Sequence, residues 1–338
     1  MPKKINLDVL IFELTDACNE RCKFCYNHWK GTDNVVKQEK TNYAKTKKVL
    51  QKVFSQADVG SISFSGGEPM LFPRIHDLIL FTRFHKTNVS VLTNGTLVTE
   101  QDLRIFSQLG VSRIQIPIHS ANPETHDAVT QVKGSWEKSV NTVQKIVAQD
   151  ADKFSTVLVL TKQNLPDLND TLSLYHDLGI QSVLVNRFNI GGEGRKYRHE
   201  LELTHTELKE AFSIINDFSR NNVMRFYSGV CTPICVLNPK DYPCISFSFC
   251  NTDMSKRPIT INHAGDVRFC NHSPRVLGNV FEKPLHDILF DKSIAEYYSS
   301  TPEFCVSCQL LKTCGGGCRA ASEQVYDTFA IVDPIMTI

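Results

Sequence analysis

Cys18, Cys22 and Cys25 lie in the run Cys-Asn-Glu-Arg-Cys-Lys-Phe-Cys, a Cys-x3-Cys-x2-Cys spacing with Phe24 just before the last thiol. Three thiolates can hold three irons of a cubane cluster and leave the fourth iron open to a substrate or cofactor, which a four-cysteine structural site cannot do. A partial zinc site is the alternative. Zinc sites, however, usually present two close Cys pairs, or a Cys pair with a His pair. The chain has twelve cysteines, three before residue 26 and nine after residue 230, with none between. Two dense groups separated by an empty stretch read as metal sites in two regions rather than as a disulfide framework.

A second candidate is Gly66-Gly67-Glu68-Pro69. Two glycines let backbone approach a ligand closely, and the carboxylate can accept hydrogen bonds from an ammonium group. Alone, Gly-Gly is an ordinary turn; beside the cysteine triad it becomes a candidate cofactor loop.

The elements that must position these residues alternate. Strand-like apolar runs fall at 8–15, 60–65, 88–93, 112–118, 154–161 and 181–188. Amphipathic helical segments fall at 41–57, 74–84, 99–109, 135–149 and 166–178, and another at 205–221 after the N-cap candidate Thr204. Six strands alternating with helices predict parallel βαβ units with right-handed crossovers. Parallel barrels place chemistry at the C-terminal ends of their strands. The cysteine triad, the Gly66–Pro69 loop, Thr93-Asn94-Gly95 and His119-Ser120 all follow strands and should converge there. Beyond about residue 225 the alternation gives way to Cys, Pro and Gly punctuation, and 236–243 reads as a linker. The expected organisation is a barrel domain over 1–221, a bridging segment over 222–243 and a small cysteine-rich domain over 244–338.

Composition narrows the function. The chain has 338 residues, 41% of them apolar, with 37 Lys and Arg against 36 Asp and Glu. That balance argues against a nucleic-acid partner or an anionic membrane surface. The N-terminus lacks the pattern of a secretory signal and no apolar run is long enough to span a bilayer, so a cytoplasmic protein is expected.

The triad with Phe24, the Gly66-Gly67-Glu68-Pro69 loop and the βα alternation resemble the radical S-adenosylmethionine (radical SAM) superfamily over roughly residues 8–220. The resemblance implies a partial (β/α)6 TIM-like barrel and a 4Fe–4S cluster on Cys18, Cys22 and Cys25. SAM chelates the open iron, and its reductive cleavage yields a 5′-deoxyadenosyl radical that abstracts a substrate hydrogen. It also implies that Glu68 and its neighbours hold the methionyl ammonium, that backbone around Phe24 meets adenine and that Asn94 lies at the cofactor. Many relatives carry a Ser at the end of the fourth strand. Here Pro117 occupies that place, and Ser120 or His119 is the candidate substitute. His126-Asp127, which resembles a catalytic dyad, reads instead as capping or loop packing. Gly191-Gly192-Glu193-Gly194-Arg195 lacks the Gly-Lys-Ser/Thr ending of a phosphate loop. It reads as the chain's exit from the sixth strand.

The C-terminal spacing, Cys250-x14-Gly265-x4-Cys270 and then Cys305-x2-Cys308-x5-Cys314-x3-Cys318, resembles the SPASM domain, which adds one or two auxiliary 4Fe–4S clusters. Position by position, the resemblance assigns Cys244, Cys250, Cys270 and Cys318 to the first and Cys305, Cys308 and Cys314 to the second. The family's last cysteine is absent here. The second site therefore takes Asp333 or Asp327, has an open iron or is not assembled. Cys231 and Cys235 stay open as buried thiols, alternative ligands or hydrogen donors to a substrate radical.

These resemblances imply an enzyme that modifies a peptide by crosslinking, oxidation or epimerisation, as in the maturation of ribosomally made peptides. The alternatives are a dehydrogenase or cofactor- and natural-product-biosynthesis enzyme acting on a small molecule, and an iron–sulfur electron carrier or scaffold, which would have no use for a SAM pocket. A flavodoxin- or ferredoxin-type electron donor is expected. With the triad beginning at residue 18, leader recognition is expected from a separate leader-binding protein or from the barrel itself.

Overall fold

The computed structural model describes residues 4–28, 42–251, 253–254 and 257–337. The first residues of the N-terminus read for a signal, and residue 41 at the start of the first predicted helix, lie outside that set. Six strands follow the expected alternation: β1 (Ile5–Glu13), β2 (Ala57–Ser65), β3 (Asn88–Leu92), β4 (Arg113–Pro117), β5 (Phe154–Leu160) and β6 (Ser182–Arg187). Each pairs in parallel with the next. The crossovers carry α1 (Tyr43–Gln56), α2 (Ile75–Phe84), α3 (Glu100–Gln108), a pair formed by α4 (Pro123–Thr130) and α5 (Ser135–Asp150), and α6 (Leu168–Asp177). β2 to β4 alternate: Ile62, Phe64, Val89, Val91, Ile114 and Ile116 are buried, while the Ser and Gln residues between them are only part-buried. Phe12 and Phe64, both fully buried, meet edge to face at 6.1 Å across β1 and β2.

The alternation makes one more step before it ends near residue 225. After α7 (Arg198–Leu201), helix α8 (His205–Asn221) returns the chain to β7 (Arg225–Ser228), parallel to β6, and β8 (Ile245–Phe247) adds to β7 in parallel. Thr204 caps α8 in a reciprocal capping box with Glu207. At the other edge β9 (Ile259–Asn262) pairs in parallel with β1, and β10 (Asp266–Arg268) and β11 (Val276–Asn279) continue antiparallel. Strands of three or four residues carry too little pattern to be legible; their neighbours define them. The 236–243 stretch is built into the core, with Val236, Leu237 and Tyr242 buried.

Among the described residues the strands form one eleven-stranded sheet, ordered β11-β10-β9-β1-β2-β3-β4-β5-β6-β7-β8. Its barrel-like part stays open, with β8 and β11 at the edges. Helices α9 (Leu285–Leu289), α10 (Lys292–Ser299), α11 (Leu311–Cys314) and α12 (Arg319–Tyr326) complete the C-terminal region. Among the described residues no helix is long and apolar enough to cross a membrane.

Candidate functional site

The cysteine loop leaves β1 and is held from three sides. The β2 turn runs beside it: Leu14 N donates to Ser65 O at 2.9 Å, Gly67 N to Thr15 O at 2.7 Å and Glu68 N to Ala17 O at 2.7 Å. Gly66 and Gly67 are required by this contact. A Cβ would stand 2.4 Å from Thr15 O at the first, whose φ is +126°, and 2.0 Å from Ala17 O at the second. The glycines thus let one loop seat against the other. The C-terminal end of α4 supplies the second side: Arg21 N and Lys23 N donate to Thr130 O and Val129 O. The Gly191–Arg195 loop supplies the third, where Gly194 N donates to Cys25 O and a Cβ on Gly192 would meet Asn27 O at 2.5 Å.

Glu68 is buried, 1% exposed, and its carboxylate is a hub. It accepts from Thr93 Oγ1 at 2.6 Å, Met70 N at 2.9 Å and Asn94 N at 2.8 Å, which locks the β2 and β3 loops together. Pro69 opens the short 3-10 turn that Glu68 caps. Asn94 Nδ2 donates to Asn19 Oδ1 at 2.8 Å, tying the β3 loop to the cysteine loop, and Asn19 Nδ2 donates to Thr96 Oγ1. Asn19 was not legible as a functional residue; only its position between Cys18 and Cys22 hinted at it.

Phe24 packs on His119, ring centroids 4.6 Å apart. His119 is 1% exposed; its Nδ1 accepts from Val159 N, and its Nε2 has no hydrogen-bond partner among the described residues. Burial holds its pKa well below the usual value, with His126 adding to the effect. The ring is therefore neutral, and with Nδ1 accepting, the proton sits on Nε2. The Ser120 hydroxyl is already engaged, donating to Asp167 at 2.7 Å and accepting from Asn122 N. Asp127 caps α5, accepting from Gly134 N, Ser135 Oγ and Trp136 N, and His126 Nδ1 accepts from His119 N.

The C-terminal region closes over this end of the sheet. Asn271 Nδ2 donates to Tyr26 Oη, and His272 packs on the Tyr26 ring at 5.0 Å. Gln324 joins three segments: it accepts from Gly192 N at 2.8 Å and donates to Tyr26 O and His272 O. Below them, Arg268 pairs with Glu13 at the end of β1, both fully buried. Burial pushes the Glu13 carboxyl up to about 7 against the pull of Arg268. Arg187, at the end of β6, donates to Asp333 at 2.5 Å, and the same carboxylate accepts from Cys318 N at 2.6 Å. Cys318 and Asp333 were legible as ligand candidates, but Asn271, His272, Arg268 and Gln324 belong to no motif and sequence carried no signal for them.

The cysteines fit iron–sulfur ligation. None of the twelve is in a disulfide. Donors already point at sulfur: Glu20 N at Cys18 Sγ, Asn189 Nδ2 at Cys318 Sγ and Ile234 N at Cys314 Sγ. Hydrogen bonds of this kind tune cluster potentials. The neighbouring Cys231 thiol, helped by Arg257, draws the Cys250 thiol below its usual range against its burial. Among the described residues no three His, Cys, Asp or Glu side chains converge on a point the size of one metal ion.

A family model described as the radical SAM superfamily matches residues 12–175, and one described as an iron–sulfur cluster-binding domain, SPASM, matches residues 250–314. An AdoMet-dependent heme synthase of Oleidesulfovibrio alaskensis is 24% identical over 344 residues, covering 97% of this chain and 87% of its own. A PqqA peptide cyclase of Gluconobacter oxydans is 22% identical, covering 97% and 90%. Among solved structures, Streptococcus suis SuiB bound to the precursor peptide SuiA superimposes with a TM-score of 0.73 at 18% identity, covering 98% of this chain and 75% of that one.

Proposed function

We propose, from the premise that the chain belongs to the radical SAM superfamily and carries a SPASM domain, that this enzyme modifies a peptide. Its cofactors are SAM, a 4Fe–4S cluster and auxiliary iron–sulfur clusters. When bound, SAM and the cluster supply, on one-electron reduction, methionine and a 5′-deoxyadenosyl radical that takes a hydrogen atom from the substrate.

In this reading Cys18, Cys22 and Cys25 hold the cluster, and the residues around them prepare its surroundings. Glu68 acts chiefly through position: three donors hold its carboxylate and align the Gly66–Pro69 and Thr93–Gly95 loops against the triad. Asn94 and Asn19 set the distance between loop and cluster. His119 offers an unpartnered Nε2–H beside Phe24, and so replaces Ser120 as the fourth-strand contact to the cofactor. Gln324, Asn271 and His272 draw the C-terminal region onto Tyr26, which excludes water from a site that must protect a carbon radical. One-electron reduction is assigned to a flavodoxin- or ferredoxin-type partner.

The observation that carries the peptide reading is the match to SuiB with its precursor peptide over nearly the whole of this chain. The heme synthase relative favours a second reading, oxidation of a small molecule. Mass spectrometry separates them: the reconstituted enzyme, SAM and a reductant are incubated with candidate precursor peptides and, separately, with porphyrins. Loss of two hydrogens from a peptide, or unchanged mass in H2O with deuterium incorporated in D2O, supports the first reading. SAM cleavage coupled only to a porphyrin overturns it.

A further inference from the structure

The bridging segment after β7 is where sequence left two cysteines unassigned. The structure turns Cys231-x3-Cys235 against Cys314-x3-Cys318. A Cβ on Gly317 would meet Pro233 Cγ at 2.6 Å, so the two turns interlock and only glycine fits at that point. Ile234 N donates to Cys314 Sγ at 3.4 Å. Arg187 clamps the other end, donating from Nη2 to Cys231 O at 3.2 Å and to the Asp333 carboxylate that receives Cys318 N.

The interlock sorts the thiols into two sets. The Cys231 thiol faces Cys250 and Cys318, and Cys318 in turn faces Cys270 and Cys250. Cys235 interacts with Cys314 and Cys308, and Cys305 with Cys314, Cys235 and Cys308. Neither set includes Cys244, whose backbone is tied to α8: its N–H donates to Asn216 Oδ1 at 3.0 Å, and its carbonyl accepts from Ser219. Asp333, the acidic candidate for the second site, already accepts from Arg187, Cys318 N and Ile335 N.

We propose that Cys231 and Cys235 complete the two auxiliary sites, Cys231 with Cys250, Cys270 and Cys318, and Cys235 with Cys305, Cys308 and Cys314. Each site then has four thiolates, no carboxylate ligand is needed, and Cys244 belongs to neither. The two turns bridge the sites: the 231–235 arm and the 314–318 arm each give one ligand to each. This inference rests on the SPASM reading of the C-terminal region. It removes both thiols from the list of hydrogen donors, since a cluster-bound sulfur carries no proton.

The test uses the Cys18/Cys22/Cys25→Ala background, so that auxiliary iron alone is counted. That protein should hold about eight irons and eight sulfides if both sites carry cubanes. If it holds none, the SPASM reading itself fails. Given eight, Cys231→Ala and Cys235→Ala each lower the iron count toward four, or retain a cluster whose EPR spectrum shifts on adding imidazole to the open iron; Cys244→Ala does neither. The reverse pattern overturns the proposal. A measurement free of folding effects uses the wild-type protein. Cys235 is exposed in the chain without clusters, so iodoacetamide should alkylate it there and at least tenfold more slowly after reconstitution. Equal rates overturn its assignment.

Discussion

Gly67→Ala probes the contact that seats the cysteine loop. An added Cβ would lie 2.0 Å from Ala17 O and 2.5 Å from Ala17 C. Both are backbone atoms, so no side-chain rotation relieves the overlap. To reach the 3.4 Å of ordinary contact the two loops must part by about 1.4 Å. That movement strains the bonds from Gly67 N to Thr15 O and from Glu68 N to Ala17 O. With each hydrogen bond worth about 1 kcal/mol net and overpacking roughly 1–3 kcal/mol, the expected cost is about 3–5 kcal/mol. Cys18 follows Ala17 directly, so the shift reaches the first thiol of the triad. A misplacement of about 1 Å near reacting atoms lowers a rate on the order of 100-fold. The assay is 5′-deoxyadenosine released under reductant and SAM, with bound iron counted alongside. Gly67→Ala should cleave SAM roughly 100-fold more slowly while the auxiliary iron is unchanged. Gly134→Ala is the control: its φ is +79° but nothing lies within 4 Å of the new Cβ, so it carries only backbone strain of about 1 kcal/mol. A Gly67→Ala enzyme with a loaded triad and a rate within about threefold of wild type would refute the reasoning.

Glu68→Gln replaces one carboxylate acceptor with an NH2 donor that faces the groups donating to it. Equilibrium urea unfolding should show a loss of roughly 2–4 kcal/mol. Gln324→Ala removes the bridge among Gly192, Tyr26 and His272, and hydrogen exchange at the Gly192 amide should speed up by on the order of tenfold, with no change at β3. His126 is buried, and that burial lowers its pKa from 6.5 to about 4. Because the folded value lies below the unfolded one, the unfolded chain binds the extra proton between pH 4 and 6.5. The stability contribution is complete above pH 6.5 and lost as pH falls, by about 3 kcal/mol at pH 4. His126→Gln should flatten the measured stability–pH slope in that window by one proton, and an unchanged slope would count against a neutral buried ring.

The fold was legible where patterns were long. The apolar runs of β1 to β6 and the helices between them fall within a few residues of their sequence positions, because hydrophobic periodicity over five to nine residues survives without tertiary help. The short strands β7 to β11 did not, since three or four residues carry no usable period and are strands only because β6 and β1 offer open edges. At the site, the triad and Gly66–Pro69 stood out through spacing. One contact of the glycines was not legible: a Gly-Gly turn does not say which backbone approaches it, and here that of Thr15 to Ala17 does.

Sequence by itself determined the chemistry on offer: three thiols at a spacing that leaves an iron open, a carboxylate loop after the second strand and a second cysteine group far along the chain. Residue type and local spacing are enough for that, because ligation by nearby residues is a local property. Partnership across distance was decided only by the tertiary structure. Gln324 reaches Tyr26 across 298 residues, Arg268 reaches Glu13 across 255, and the turn at Cys231–Cys235 meets the turn at Cys314–Cys318. These pairings depend on which sheet edges and loops packing brings together, and no stretch of sequence records its distant neighbour.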